Sequence, residues 1–399
     1  MRISTITIYE QSVSSMNRQQ TDFMKVGQQI ATGRRVVNPS DDPQAAAQAI
    51  GVSQAIGITD QYTDSRITAR NSLSQEESVL NSIGDAIAKA KTLMVQGATG
   101  TLSNTDRASV ATELNGILQT VIGQANAADG NGRYLFGGFS DNSQPFIEDA
   151  TGSIVYVGDT NNRQQRVDSS RLMDVTDHGV DVFLSVQSGS GYVAEAATTN
   201  TGETVFTGPL VVDPTDPQFG NNFQIDFVDV AGEMYYSIDG GAPVLYEDGA
   251  NISFGGLSLK LEGIPADGDS ITVGTAETMN TDLFATLQKA LTALNTPQAT
   301  EADTAAFRNT MSTVMRELDN SLDNVLTVQA SVGARLNELD VVDGVAENRK
   351  LSYQQNLSDL IDLDYVSAIS DYSLRQVGLE AAQKAFVDIN GMSLFNFLK

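Results

Sequence analysis

The chain has 399 residues, enough for two or three domains with a sizeable buried core. Its 50 acidic residues against 24 basic ones give a net charge of −26, which excludes nucleic acid as a main partner, since phosphate binding needs a basic patch. Cysteine is absent and His178 is the one histidine, so no disulfide framework, thiolate nucleophile or multi-histidine metal site can form, and a Ser-His-Asp triad would have to run through His178.

The N-terminus, Met1-Arg2-Ile3-Ser4-Thr5-Ile6, leads straight into polar sequence without the apolar core of a secretory signal. No stretch reaches the ~20 apolar residues of a membrane span. A route out of the cell would have to read an uncleaved terminus. Val13, Met16, Phe23 and Ile30 follow a 3,4 register, with Gln20 and Gly27 at the intervening seam positions. That is a narrow apolar stripe on a long helix, of the kind a coiled-coil seam presents. Asn38-Pro39-Ser40-Asp41-Asp42-Pro43 interrupts it, with Asp42 the expected N-cap and Pro43 the first residue of the next helix. An Ala-rich run from Ala45 restarts the helix, which continues through Leu73, Leu80, Ile83 and Ile87 to about Val95. A break at 97–104 follows, and a third helix is expected to begin at Thr105-Asp106 and run through Leu114, Leu118 and Val121.

From about 138 to 277 the pattern changes to short runs rich in Val, Ile, Tyr and Phe between Gly, Asn, Asp and Pro clusters. Residues 154–157, 224–227, 234–238 and 257–261 read as strands, and Asp239-Gly240-Gly241 as a hairpin turn. A Thr/Gly-rich stretch at 198–204 is a candidate division, leaving one or two β subdomains. His178, between Asp177 and Gly179, is expected on a surface turn. From Asp282 the helical pattern returns: Val325, Val328, Val332, Leu339, Val342 and Ala346 hold a 3,4 register that Arg335 interrupts. The Asp-rich segment 358–364 is expected to end or bend this helix, and a last amphipathic helix runs through Leu374, Val377, Ala381 and Ala385.

The expected fold is therefore α+β: a long coiled-coil-like helical bundle built from both termini, with an inserted, mainly antiparallel β region. The expected segments are 1–40 (N-terminal helix), 41–137 (helical), 138–277 (β-rich), 278–360 (helical) and 361–399 (C-terminal helix). Apolar stripes at both extremes, where termini commonly fray, suit either an ordinary closed bundle or helices that neighbouring subunits must cover. Other short motifs read as structure. Asp41-Asp42 reads as a cap, Gly130-Asn131-Gly132 as a turn lacking the Lys of a phosphate loop, Asp267-Gly268-Asp269 as a turn lacking further calcium ligands, and Arg34-Arg35 as charge at a helix C-terminus.

The run Gln28-Gln29-Ile30-Ala31-Thr32-Gly33-Arg34-Arg35-Val36-Val37-Asn38-Pro39-Ser40-Asp41-Asp42-Pro43 resembles the signature of the flagellin superfamily. Ser40–Pro43, the motif Gly132-Arg133-Tyr134-Leu135-Phe136-Gly137-Gly138, Asp364-Tyr365-Val366 and the tail from Ala385 through Phe386 to Leu398 are similar to its hook–filament junction branch, and the likeness covers roughly the first 140 and last 120 residues. The resemblance implies a structural subunit with no enzyme activity, cofactor or metal. It implies export unfolded through the flagellar type III apparatus and an extracellular place as a thin layer between hook-associated protein 1 and flagellin. It further implies self-association, with terminal helices in concentric tubes around the export channel and the β domain outward, and an export chaperone that holds the C-terminal helix in the cytoplasm. Carried onto this chain, the polymerisation surface is Val13, Met16, Phe23 and Ile30 with Leu374, Val377, Ala381, Phe386, Leu394, Phe395 and Leu398. Filament flagellin, and a secreted enzyme housed in the β region, are the two competing readings.

Overall fold

The computed structural model of the chain describes residues 5–100 and 102–391. Its elements are α1 (Thr5–Thr32), α2 (Pro43–Gly97), α3 (Asn104–Ala125), β1 (Phe146–Glu148), β2 (Ile154–Tyr156), β3 (Gln164–Asp168), β4 (Arg171–Asp174), α4 (Gly179–Phe183), β5 (Tyr192–Ala196), β6 (Val205–Val211), β7 (Phe223–Val230), β8 (Glu233–Ile238), β9 (Val244–Leu245), β10 (Asn251–Phe254), β11 (Leu257–Glu262), β12 (Ser270–Thr275), α5 (Leu283–Asn295), α6 (Glu301–Ile361) and α7 (Tyr365–Gly391). The fold is α+β. It divides into one unit of residues 1–64 with 341–399 and another of residues 65–340, so α2 and α6 each contribute to both.

Helix boundaries follow local chemistry. Asp42 accepts the Ala45 amide at 3.0 Å and starts α2 at Pro43, where a missing N–H costs nothing. Ser103, rather than Thr105, caps α3: its hydroxyl takes the Asp106 amide while the Asp106 carboxylate takes the Ser103 amide. Asp282 caps α5 through the amides of Phe284 and Ala285, and Thr300 with Asp303 forms the equivalent reciprocal pair ahead of α6.

In the second unit the expected stripes are the core. Leu73, Leu80, Ile83 and Ile87 of α2 are buried with Leu114 and Val121 of α3, Leu287 of α5 and Val325, Val332 and Leu339 of α6. Ion pairs Arg70–Asp340 and Lys91–Asp319 set α2 and α6 antiparallel. At one end of this core lies an aromatic hub. Phe146 of β1 sits 5.2 Å from Phe183 of α4, 5.0 Å from Phe284 of α5 and 5.1 Å from Tyr156 of β2, and Phe183 meets Phe136 edge-on at 5.2 Å. The Gly132–Gly138 motif thus plugs the helical core into the first β hairpins, with the Phe136 carbonyl accepting from the Tyr156 hydroxyl and the Gly179 amide. Gly138 has φ +62°, and a Cβ there would stand 2.2 Å from the Asp159 carbonyl oxygen, so only glycine fits.

Residues 192–275 form a separate antiparallel sandwich with its own core. A five-stranded sheet in the order β5-β12-β7-β8-β9 shares a core with a three-stranded sheet, β10-β11-β6. The turn at Asp239-Gly240, both at positive φ, joins β8 to β9. The stretch 198–204, taken as a candidate division, instead connects β5 to β6, which lie in the two sheets of that one sandwich. The sandwich joins α6 through polar contacts. The Asn309 amide bonds the main chain of Thr204 and Phe206, Thr313 donates to the Ala194 carbonyl at 2.7 Å, and Lys289 bridges Glu195 and Glu317.

His178 is not a surface turn residue. It is 9% exposed and caps α4, its Nδ1 accepting the Asp181 amide and its Nε2 facing the Asp181 carboxylate at 3.1 Å. The other motifs read as turns are turns. Asp129 accepts the amides of Asn131 and Arg133, and Asp269 accepts those of Thr201, Gly202 and Ala266. Truncating Phe146 to alanine removes the centre of the hub and is expected to cost about 3–5 kcal/mol, measured by urea unfolding.

Candidate assembly interface

Helices α1 and α7 pair within the first unit. Tyr9 lies 5.5 Å from Phe386, Phe23 stacks on Tyr372 at 4.6 Å, and Arg375 reaches Asp22 at 2.8 Å and Asp371 at 3.1 Å. As α1 numbers rise the α7 partners fall, so the pair is antiparallel. Val13, Met16 and Ile30 share the half-buried face of Phe23. Small residues let the axes approach: a Cβ at Gly27 would touch Tyr372 at 3.6 Å, and one at Gly378 would touch Gln19 at 3.5 Å.

Both helices break at one place. Gly33, at φ +70°, ends α1 in the left-handed conformation that favours glycine. Its carbonyl accepts the Leu363 amide at 3.0 Å, and the Arg35 amide donates to the Ile361 carbonyl at 2.7 Å. The Arg35 guanidinium donates to the Leu360 carbonyl at 2.7 Å and pairs with Asp42 at 3.3 Å. Arg35 therefore serves the C-terminus of α6, not that of its own helix. Asp364 then caps α7 through the Val366 amide at 3.0 Å, so the Asp-rich segment ends one helix and starts the next. Asp41 accepts the Asn38 amide at 2.9 Å and pairs with Lys25 at 3.0 Å.

The expected polymerisation residues separate into two sets. Val13, Met16, Phe23, Ile30 and Phe386 are half-buried along the intrachain pair. Leu374 at 70% exposure, Val377 at 63% and the exposed Ala381 lie on the free side of α7, as does Val366 at 82%. Leu394, Phe395 and Leu398 lie outside the described residues. The inner face of α7 is a different stripe, Ala368, Tyr372, Arg375, Leu379, Ala382 and Phe386. Its 4,3 spacing was present in the sequence, but Arg375 and small residues made it less apolar than the stripe on the opposite side. Among the described residues no helix is long and apolar enough to cross a membrane, and none of their His, Asp and Glu side chains cluster as a metal site.

Hydrogen bonds from the Asn38 amide and from Lys25 hold the Asp41 carboxyl below its ordinary range, and the Ala45 amide and Arg35 do the same for Asp42. Their contribution to stability is present above the ordinary aspartate value and is lost as pH falls through the lowered ones. Asp42→Asn is expected to weaken the acid dependence of unfolding in the first unit, read by amide resonances of residues 33–49. Because each terminal helix is covered on one side only, amides of 9–31 and 366–388 in the dilute monomer are expected to exchange faster than those of 69–94. Full protection at both ends would mark a closed bundle.

Residues 3–141 match the family described as the bacterial flagellin N-terminal helical region. The chain is 35% identical over 400 residues to flagellar hook-associated protein 3 of Escherichia coli (strain K12), covering 100% of both chains. Among solved structures it is similar to hook-associated protein 3 of Legionella pneumophila, with TM-score 0.70 and 26% identity over 77% of this chain and 98% of that one. It is also similar to FlgL of Xanthomonas campestris, with TM-score 0.68 and 28% identity over 77% and 99%. The Gln28–Pro43 run, Asp364-Tyr365-Val366 and the Gly132–Gly138 plug are among the residues by which the sequence resembles this group, and each has a defined structural task. The chain belongs to the flagellar hook-associated protein 3 family and is a structural component of the bacterial flagellum.

Proposed function

We propose that the chain forms a thin layer at the hook–filament junction, between hook-associated protein 1 and flagellin. It is exported through the flagellar type III apparatus with an uncleaved terminal signal and acts outside the cell without catalysis or cofactor. The observation that supports this reading is the two-faced α7. One face, with Tyr372 and Phe386, is covered by α1, while Val366, Leu374 and Val377 on the other are exposed. A soluble monomer gains nothing from such a stripe, whereas copies packed side by side bury it.

In this reading Val13, Met16, Phe23, Ile30 and Phe386 build the helix pair, and Leu374, Val377 and Ala381 meet neighbouring subunits. Leu394, Phe395 and Leu398 stay in the proposed surface on sequence grounds. An export chaperone covering the free face of α7 would prevent premature association in the cytoplasm.

Because Leu374 and Val377 are exposed, replacing both with lysine is expected to leave the purified monomer's thermal transition unchanged. Cells carrying L374K and V377K are expected to secrete flagellin without building filaments, while the wild-type chain, located by immuno-electron microscopy, forms a single band at the outer end of the hook. Normal filaments on the double mutant would overturn the assignment of this face.

A further inference from the structure

Glu76 lies on the apolar stripe of α2 between Leu73 and Leu80 and is fully buried. Arg335 takes the seam position of α6 between Val332 and Leu339, both buried. The register set by Arg70–Asp340 and Lys91–Asp319 brings these two polar residues to the same level of the α2–α6 seam. The segment leading into α4 reaches them both. The Asp177 amide donates to Glu76 Oε1 at 2.9 Å, the Asp177 carboxylate pairs with the Arg335 guanidinium, and Arg335 also donates to the Asp174 carbonyl at 3.2 Å.

The charges in this cluster do not balance. With both acids ionised, two buried carboxylates would face one guanidinium, and Glu76 Oε2 has no hydrogen-bond partner. An unpartnered ionised oxygen in a closed core is costly, and a neutral carboxyl far less so. Nearby charges are committed elsewhere. Arg163 pairs with Asp141 at 2.8 Å, Arg171 with Glu338 at 2.6 Å, and the His178 ring faces Asp181, while the Asp174 carboxylate accepts from Gln164.

We propose that Glu76, Asp177 and Arg335 form a proton-holding lock, in which one proton stays on the carboxylate pair at neutral pH and fastens the segment from Asp174 through α4 to the α2–α6 seam. Burial, and then the negative charge of Asp177, push the Glu76 carboxyl well above the usual carboxylate range, in line with this geometry. The folded chain therefore keeps a proton that the unfolded chain gives up. The lock's stability is full below the ordinary glutamate value and declines as pH rises toward the raised one. The lock is a device for position as well as charge: a polar group at one seam position fixes the register of two long helices that apolar contacts alone would let slide.

Glu76→Gln in the full-length chain tests it. Glutamine keeps the acceptor for the Asp177 amide, offers an N–H to the Asp177 carboxylate and cannot ionise. The wild-type urea midpoint is expected to fall relative to that of E76Q as pH rises above the ordinary glutamate value. Amides of 174–184 should show the same pH-dependent difference in exchange. A buried carboxylic-acid C=O stretch should be visible by infrared at neutral pH in the wild type and lost in E76Q. Parallel pH profiles for the two proteins would overturn the proposal, as would the absence of that band. Should E76Q fail to fold, the wild-type band and the carbon-13 titration of the Glu76 carboxyl decide the question alone.

Discussion

A long helix with a narrow apolar stripe cannot stand alone in water, and both ends of this chain are such helices. Their solution is mutual. The half-buried face of α1 meets the Tyr372–Phe386 face of α7, and both helices stop at one shared break where Gly33 and Arg35 exchange main-chain hydrogen bonds with Leu363 and Ile361. The pair satisfies one stripe and leaves another. A further helix face, with Leu374 and Val377, is left in water, and it is this face that we propose neighbouring copies cover.

The second unit is held by two kinds of contact. Apolar stripes of α2, α3, α5 and α6 form one core, extended by the Phe136–Phe146–Phe183–Phe284 hub into the first β hairpins. The sandwich of residues 192–275 has a core of its own and meets α6 through Asn309, Thr313 and the Lys289 ion pairs. Apolar burial is non-directional, whereas hydrogen bonds fix geometry. The polar seam therefore sets the placement of the sandwich on α6 while the two cores form separately. The Glu76–Asp177–Arg335 cluster applies the same logic inside the helical core, where charge fixes register at a cost in burial.

Much of this was legible in the sequence because it rests on local periodicity. The Asp42 cap, the return of helix from Asp282, the strands around 224–227 and 257–261, the Asp239-Gly240 turn and the buried positions Val325, Val332 and Leu339 all follow from residue type and spacing. Arg335 was visible as an interruption. Its partners were not, because Asp177 lies 158 residues away in sequence. His178 departs from its expected surface turn because Asp-His-Gly has turn composition, whereas in the fold it caps α4 through the neighbouring Asp181 and is enclosed against Asn162.

The candidate interface shows where sequence and tertiary structure divide the work. Residue pattern alone determined an α+β chain with helical ends around a β insertion, together with motifs that place it among flagellin-like proteins. It could not say which of the two stripes on α7 would be covered, since Leu374-Val377-Ala381 and Tyr372-Leu379-Phe386 both recur at helical spacing. Tertiary structure decided that by bringing Phe23 onto Tyr372 and Tyr9 onto Phe386. Periodicity records that a face is apolar, but which partner buries it depends on contacts between segments more than 300 residues apart, and only the folded chain brings those together.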